Sequence, residues 1–313
     1  MAGEVTPTFD CRVAFAETML ELAAADPRVV VVVADTVGSS NLGSFRDAYP
    51  DRLINVGIAE QDLIGVAAGL AGAGLKPFVS AAGCFLTARA MEQIKVDLAY
   101  SGRAVTLCAQ SPGFSYGALG STHHSAEDLG WLRTIPELTV LAPVDPVDTA
   151  GALRWAASHD GPVYVRIGRV KVPQVNPADL AFRPGQAVQL ADGAHVTLVA
   201  TGAMAGAALE ARDLLAGAGV EARVLAMASV KPLDRDAIGQ AAAETGAIVT
   251  VEDALVTGLG GAVAELLAVT RPTPMRMVGI QDQFAPVGDP AYLFEYFGLT
   301  PVAIRDAALE LVG

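Results

Sequence analysis

Residues 50–72 read PDRLINVGIAEQDLIGVAAGLAG, a short β-branched stretch that turns through Gly57 and Ile58 into a glycine-rich helix, with the carboxylate of Glu60 at the turn. A carboxylate where a strand becomes a helix has two readings. It is an ordinary helix-start glutamate that favours the positive end of the helix dipole, or it is an acid held nearly dry so that it can share a proton with a bound group. Within the helix, Gly65, Gly69 and Gly72 recur at i, i+4 and i+7 and strip one face of its side chains. That face either packs on the chain's own sheet or admits the backbone of another subunit.

The flanking sequence places this block in an α/β alternation. Upstream, helical periodicity from about Asp10 to Ala25 leads into the run Val29 to Val33, which ends at Asp35 before a loop containing Gly38, Ser39, Ser40 and Asn41. Loops at strand ends are where α/β proteins bind ligands, which makes Ser39 a candidate substrate contact. Downstream, strands are expected at about Leu53 to Val56, Lys76 to Ser80, Val105 to Cys108 and Val163 to Ile167, with a helix from about Cys84 to Tyr100. Lys171 to Pro184 carries Pro173, Pro177 and Pro184 and reads as an extended linker. A second, smaller alternation follows: strands at Val196 to Ala200, Ala222 to Ala226 and Ala247 to Val251, helices between them, and a terminal helix after Pro301. The expected organisation is two doubly wound α/β domains, residues 1–172 and 190–313, joined by a linker over 173–189.

Composition narrows the function. The 313 residues are 52% hydrophobic but only 6% aromatic, so the cores are built from Ala, Val, Leu and Ile, as suits parallel sheets covered on both faces. A net charge of −13 disfavours nucleic acid and anionic membrane surfaces, so an anionic substrate has to be met by locally placed Arg or Lys. Cys11, Cys84 and Cys108 are far apart and, with four histidines, show no zinc spacing, so reduced thiols and no metal site on this chain are expected. The opening MAGEVTPTFD lacks a basic stretch followed by an apolar one, and no apolar run approaches a membrane span; a cytoplasmic protein is expected.

The 50–72 block resembles the pyrimidine-binding domain of the transketolase family of thiamine diphosphate enzymes. The resemblance extends from about Asp10 to Leu311. It implies that Glu60 is the carboxylic acid that meets the cofactor's pyrimidine ring nitrogen and favours the tautomer whose amino group becomes the internal base. In split transketolase-like proteins a Thr-Phe-x-x-Phe pattern supplies aromatic packing for that ring. Here the stretch is Ala81-Ala-Gly-Cys-Phe85, so Phe85 matches the second aromatic while Ala82 replaces the first. Phe85, with Ile58 from the Glu60 turn, is the expected cofactor contact, although Phe78 and Phe85 also fit plain core positions. Arg89-Ala-Met-Glu-Gln matches the family's Arg-Ala-x-x-Gln helix, where Arg89 is expected to support an interface.

The cluster from Ser115 to Asp128 contains Gly120, His123 and His124 and resembles the family's Gly-x-x-His-His/Gln loop. The likeness points to His123 as the catalytic member, donating to a substrate oxygen, with His124 the lesser candidate. Arg133 and Arg169 match positions that hold the phosphate of sugar substrates, a task suited to guanidinium forks, and each could equally serve a structural ion pair. For Arg166, facing into a strand, the structural pair is the expectation. Where transketolases carry an acidic residue four positions before the catalytic His, this chain has Leu119, and Ser111 stands where a further histidine is frequent. An apolar residue cannot accept a sugar hydroxyl's hydrogen bond, so substrates other than the standard pentose phosphates are implied.

Ser229-Val-Lys-Pro-Leu-Asp234 and Val251 to Gly261 resemble the C-terminal domain shared by transketolases and 2-oxo acid dehydrogenase β subunits, which the family uses for assembly. The Gly-Asp-Gly string, followed by Asn-Asn roughly thirty residues on, that binds magnesium and the cofactor's diphosphate is absent; Gly288-Asp289-Pro290 does not fit it. The resemblance therefore implies half of a split transketolase. Thiamine diphosphate and Mg2+ or Ca2+ would be held with a partner chain, an N-terminal subunit carrying the diphosphate-binding domain, in an α2β2 assembly. The expected reaction moves a two-carbon ketol unit from a ketose, phosphorylated or otherwise anionic, to an aldose. The alternatives are a 2-oxo acid dehydrogenase β subunit or a deoxyxylulose phosphate synthase relative and, from another class, a silent assembly or regulatory subunit.

Overall fold

The computed structural model describes residues 7–313; the first six residues, most of the MAGEVTPTFD opening, lie outside the described residues. The first domain carries β1 (Thr8–Phe9), β2 (Val29–Val33), β3 (Leu53–Asn55), β4 (Lys76–Ala82), β5 (Thr106–Gln110), β6 (Thr139–Leu141), β7 (Val163–Ile167) and β8 (Val172–Pro173). The second carries β9 (Val188–Ala191), β10 (Val196–Ala200), β11 (Ala222–Ala226), β12 (Ser229–Lys231), β13 (Ile248–Leu255) and β14 (Met275–Ile280). β2 is five valines, each buried, because helices cover both faces of the sheet it crosses.

That sheet runs in the order β12-β6-β7-β5-β4-β2-β3, parallel except at one edge. The exception is β12, which leaves the second domain and pairs antiparallel with β6. The second sheet runs β14-β13-β10-β11-β9, with β9 antiparallel on its edge. Neither β9 nor β12 carries enough periodic pattern to be foreseen from sequence. Both are short edge strands, and β12 crosses from one domain to the other.

Two expected elements are built differently, and one open alternative is decided. The helix read over Cys84 to Tyr100 is broken: Gly83–Ala88, then Met91–Gln93, then a π-helical turn over Ile94–Tyr100. Its interruption falls at Ala90, which is fully buried with a non-helical backbone. The segment read as an extended linker is extended and also anchored. β8 pairs antiparallel with β1, and the Val175 and Asn176 amides donate to Asp145 Oδ2. The glycine face of the Glu60–Gly72 helix does not pack on its own sheet: Gly65 and Gly69 are exposed with nothing within 4 Å of a would-be Cβ, and only Gly72 meets a side chain, that of Arg103. Among the described residues no helix is long and apolar enough to cross a membrane.

Candidate active site

The carboxyl ends of β2, β3, β4, β5 and β7 lie along one edge of the first sheet, and each delivers a polar or aromatic residue there. After β3 the turn is set by Asn55, whose Oδ1 accepts from the Asp35 amide at 3.0 Å and from the Gly57 amide at 3.0 Å. Gly57 adopts φ +76, a left-handed conformation that a side chain at this position would strain, and the chain then enters the helix at Glu60. The result is a carboxylate only 4% exposed at a helix start. Oε2 accepts from Arg89 Nη1 at 2.8 Å, and Oε1 has no hydrogen-bond partner among the described residues.

Phe85, on the helix that follows β4, meets both neighbouring groups. The Arg89 guanidinium carbon lies 4.5 Å from its ring centroid, and the His123 ring meets it edge-on at 5.0 Å. His123 also packs edge-on toward Tyr116 at 6.3 Å, and Arg169 lies over Tyr116 at 5.1 Å. Glu60, Arg89, Phe85, His123, Tyr116 and Arg169 thus form a continuous line of contacts along the sheet edge. Beside it opens a cleft of ≈ 450 Å³ lined by Cys84, Phe85, Arg89, Thr122, His124 and Glu127, among others.

The two histidines sit in different surroundings. Their loop is pinched at its neck by the Gly113 and Ser125 backbones, which exchange hydrogen bonds of 2.9 and 3.0 Å. His123 is half-buried, with Nδ1 3.0 Å from Thr122 Oγ1, which leaves Nε2 available. His124 is buried, edge-on to Phe114, and its Nε2 donates to the Gly117 carbonyl at 3.2 Å. Burial holds the His124 pKa below the ordinary histidine value, so its ring is a neutral packing element that orders the loop.

The remaining expected residues are placed as follows. Ile58 is 78% exposed two positions before Glu60, uncovered in a single chain. Ser39 is half-buried; its Oγ donates to the Thr36 carbonyl, and its own carbonyl accepts from Arg12 Nη1 at 3.1 Å. Arg169 forms no ion pair among the described residues. Arg133 does not present a free guanidinium: it pairs with both Glu265 oxygens at 2.6 and 2.9 Å and donates to the Thr257 carbonyl, so the structural alternative describes it. Phe78 is core. Burial raises the Cys11 thiol to about 12 and the Cys84 thiol to about 11, and neither can act as a thiolate nucleophile. Among the described residues no group of three or more His, Cys, Asp or Glu could hold a metal.

Sequence reasoning assigned Arg89 to an interface and left Tyr116 without a role. Arg89 follows Phe85 by four residues, a spacing that puts both on one helix face and was a usable signal. Gly258, Gly260 and Gly261 lie where β13 turns into the helix Leu259–Val269. The Glu252 carboxylate already occupies that helix start, accepting from the Leu259 and Gly260 amides at 2.8 and 2.7 Å.

Comparison with known proteins fits this geometry. Residues 8–174 match the transketolase pyrimidine-binding domain, and residues 185–304 match the transketolase C-terminal domain. The chain belongs to the transketolase family. It is 43% identical over 304 residues to an apulose-4-phosphate transketolase subunit of Phocaeicola vulgatus, covering 96% of this chain and 97% of that one. It is 40% identical over 298 residues to a 6-deoxy-6-sulfo-D-fructose transketolase subunit of a Clostridium species, covering 95% and 92%. Among solved structures it is similar to a split-gene transketolase described as an inactive β4 tetramer, with 39% identity, a TM-score of 0.89 and coverage of 96% and 97%. This transketolase chain is therefore of the split kind, with its two domains in the pyrimidine-binding and C-terminal folds.

The family implies thiamine diphosphate, and the residues present fit its pyrimidine end. A nearly dry carboxylate with one unpartnered oxygen suits a weakly basic ring nitrogen, and the Phe85 ring beside it suits a flat heterocycle.

Proposed function

We propose that this chain is the pyrimidine-binding half of a split thiamine diphosphate-dependent transketolase that transfers a two-carbon ketol unit from an anionic ketose to an aldose. The chain works in the cytoplasm with a partner chain that supplies the diphosphate-binding domain and, through it, Mg2+ or Ca2+, in an α2β2 assembly. The observation that carries the reading is the Glu60 carboxylate, buried yet half-unpartnered and linked through Arg89 to Phe85 and, beyond it, His123. When bound, the cofactor supplies a nucleophilic thiazolium carbon. Glu60 then holds a proton at its free oxygen against the pyrimidine nitrogen. His123 Nε2 donates to the substrate oxygen, and Phe85 and Ile58 keep water from the ring.

The substrate reading rests on Arg169, Ser39 and the loop. Arg169 is a half-buried cation oriented by Tyr116 and not committed to a carboxylate, which suits a phosphate or sulfonate. The Phocaeicola and Clostridium relatives are named for a phosphorylated and a sulfonated sugar. Leu119, 55% exposed on the same loop, offers no acceptor for a substrate hydroxyl. Ser39, in the loop after β2 and tied by its carbonyl to Arg12, is the second polar contact of this reading. The relative described as an inactive tetramer of β subunits supports a need for the second chain.

The test is reconstitution. Purified chain, purified partner and the two together are assayed for ketol transfer in a donor screen of sugar phosphates and sulfosugars. Activity is expected only from the pair, falling by at least about 10²-fold in Glu60→Gln with the fold retained. Undiminished activity in that variant would leave the chain an assembly subunit.

A further inference from the structure

Arg166 is one of the largest side chains fully enclosed in the molecule, 2% exposed, yet it carries charge. Its three nitrogens reach three different parts of the structure. Nε donates to Asp128 Oδ2 at 2.9 Å, Nη1 to Asp253 Oδ1 at 2.8 Å and Nη2 to the Ser125 carbonyl at 3.1 Å. Asp128 opens the short helix after the histidine loop and is also held by the Tyr164 hydroxyl at 2.5 Å. Asp253 belongs to β13, in the other domain. The Ser125 carbonyl is the acceptor of the Gly113 amide at the loop's neck.

We propose that Arg166 is a positioning residue through which the C-terminal domain sets the place of His123. The domain is then a working part of the site, beyond its use in assembly. Ser125 follows His123 by two residues, so a shift of the neck moves the imidazole with it. The surrounding contacts agree: the Leu255 amide, two residues after Asp253, donates to the Ala126 carbonyl at 2.7 Å. Gly113 packs so close to Asp253 that a Cβ there would lie 2.7 Å from Oδ2, and Ser121 Oγ donates to the Ala285 carbonyl. A planar guanidinium is needed because the three acceptors lie around one centre; a lysine ammonium at the end of a flexible stem cannot span them. The inference rests on the reading that the His123 loop serves the reaction, but its test does not require turnover.

Asp253→Ala removes the cross-domain bond while Asp128 still neutralises Arg166. In the chain without partner or cofactor, amide exchange over residues 113–127 is expected to rise about tenfold, with exchange of the β2 and β4 amides unchanged. With only four histidines in the chain, imidazole NMR signals give a second readout: His123 and His124 shift while His159 and His195 stay in place. Asp253→Asn keeps the accepting oxygen and is expected to restore both signatures. Glu265→Gln, which cuts the outer Arg133 pair between the same domains, is expected to leave both unchanged. Unaltered loop exchange in Asp253→Ala would overturn the proposal, as would exchange that rises uniformly across the chain or equally in Glu265→Gln. Failure of Glu60→Gln to lose turnover would instead overturn the functional reading and leave this result standing.

Discussion

At the level of single residues, the proposed chemistry falls on side chains whose partners within the chain are incomplete. The buried Arg166 is matched by two carboxylates, Asp128 and Asp253. Glu60 and Arg169 differ: one oxygen of the first and the guanidinium of the second have no protein counterpart among the described residues. This contrast separates Arg169 from Arg133, which sequence likeness treats alike. Arg169→Ala is therefore expected to raise KM for an anionic donor by about 10- to 100-fold, the loss of a charge-assisted pair, with kcat changed much less. Steady-state kinetics on the reconstituted pair would show it, and an unchanged KM would remove Arg169 from the anion site. Glu60 and His123 stood out as candidates in the sequence because the motif around each is dense in glycine, histidine or both. The identity of their neighbours was not, because Arg89 reaches Glu60, and Arg166 reaches Ser125, only once distant strands align.

Among the elements, the Glu60 helix shows how a sequence pattern leaves a question that coordinates decide. Three glycines on one face are compatible with internal or external packing; the structure leaves Gly65 and Gly69 facing open space. Gly69→Ala is consequently expected to stabilise the isolated chain by about 0.5–1 kcal/mol, the helix-propensity gain at a position with room for a Cβ. Gly65→Leu together with Gly69→Leu keeps the fold and weakens self-association, which sedimentation velocity would detect. A stable dimer in that double variant would place the interface elsewhere. The helix at Pro146–Ala156 gives a second, electrostatic prediction. Asp148, buried in its first turn, has its carboxyl raised to about 7, first by burial and then by the charge of Asp145. A folded-state pKa above the unfolded value means the native state binds the proton more tightly, so this group's contribution is present at pH 4 and lost as the pH rises toward 7. Asp148→Asn, which cannot ionise, is expected to gain on the order of 2 kcal/mol relative to the parent at pH 8 and little at pH 4. Urea unfolding at the two pH values measures the difference.

For the whole molecule, most of the parallel strands were readable because each carries its own apolar run, as Val29–Val33 and Val196–Ala200 do, whereas β6 and β14, also parallel, were not foreseen. What joins the domains was not readable. β12 is three residues long, contributes no periodicity, and finds its partner β6 in a domain nearly a hundred residues earlier in the chain. The junction nevertheless binds the halves in several independent ways: β12 completes the edge of the first sheet, Asp253 enters the ion-pair set around Arg166, and Arg133 grips Glu265 and the Thr257 carbonyl. The Lys231 ammonium also donates to the Ile135 carbonyl. Unfolding the second domain alone would expose the β6 edge and leave Asp128 as the sole counter-charge for a buried guanidinium, so the two halves have little room to open separately. The chain is expected to unfold in one cooperative transition, with calorimetric and van't Hoff enthalpies in agreement for each folding unit. Two resolved heat-capacity peaks in the parent would contradict this coupling. Their appearance only in Asp253→Ala would instead assign the coupling to the buried ion-pair set rather than to strand β12.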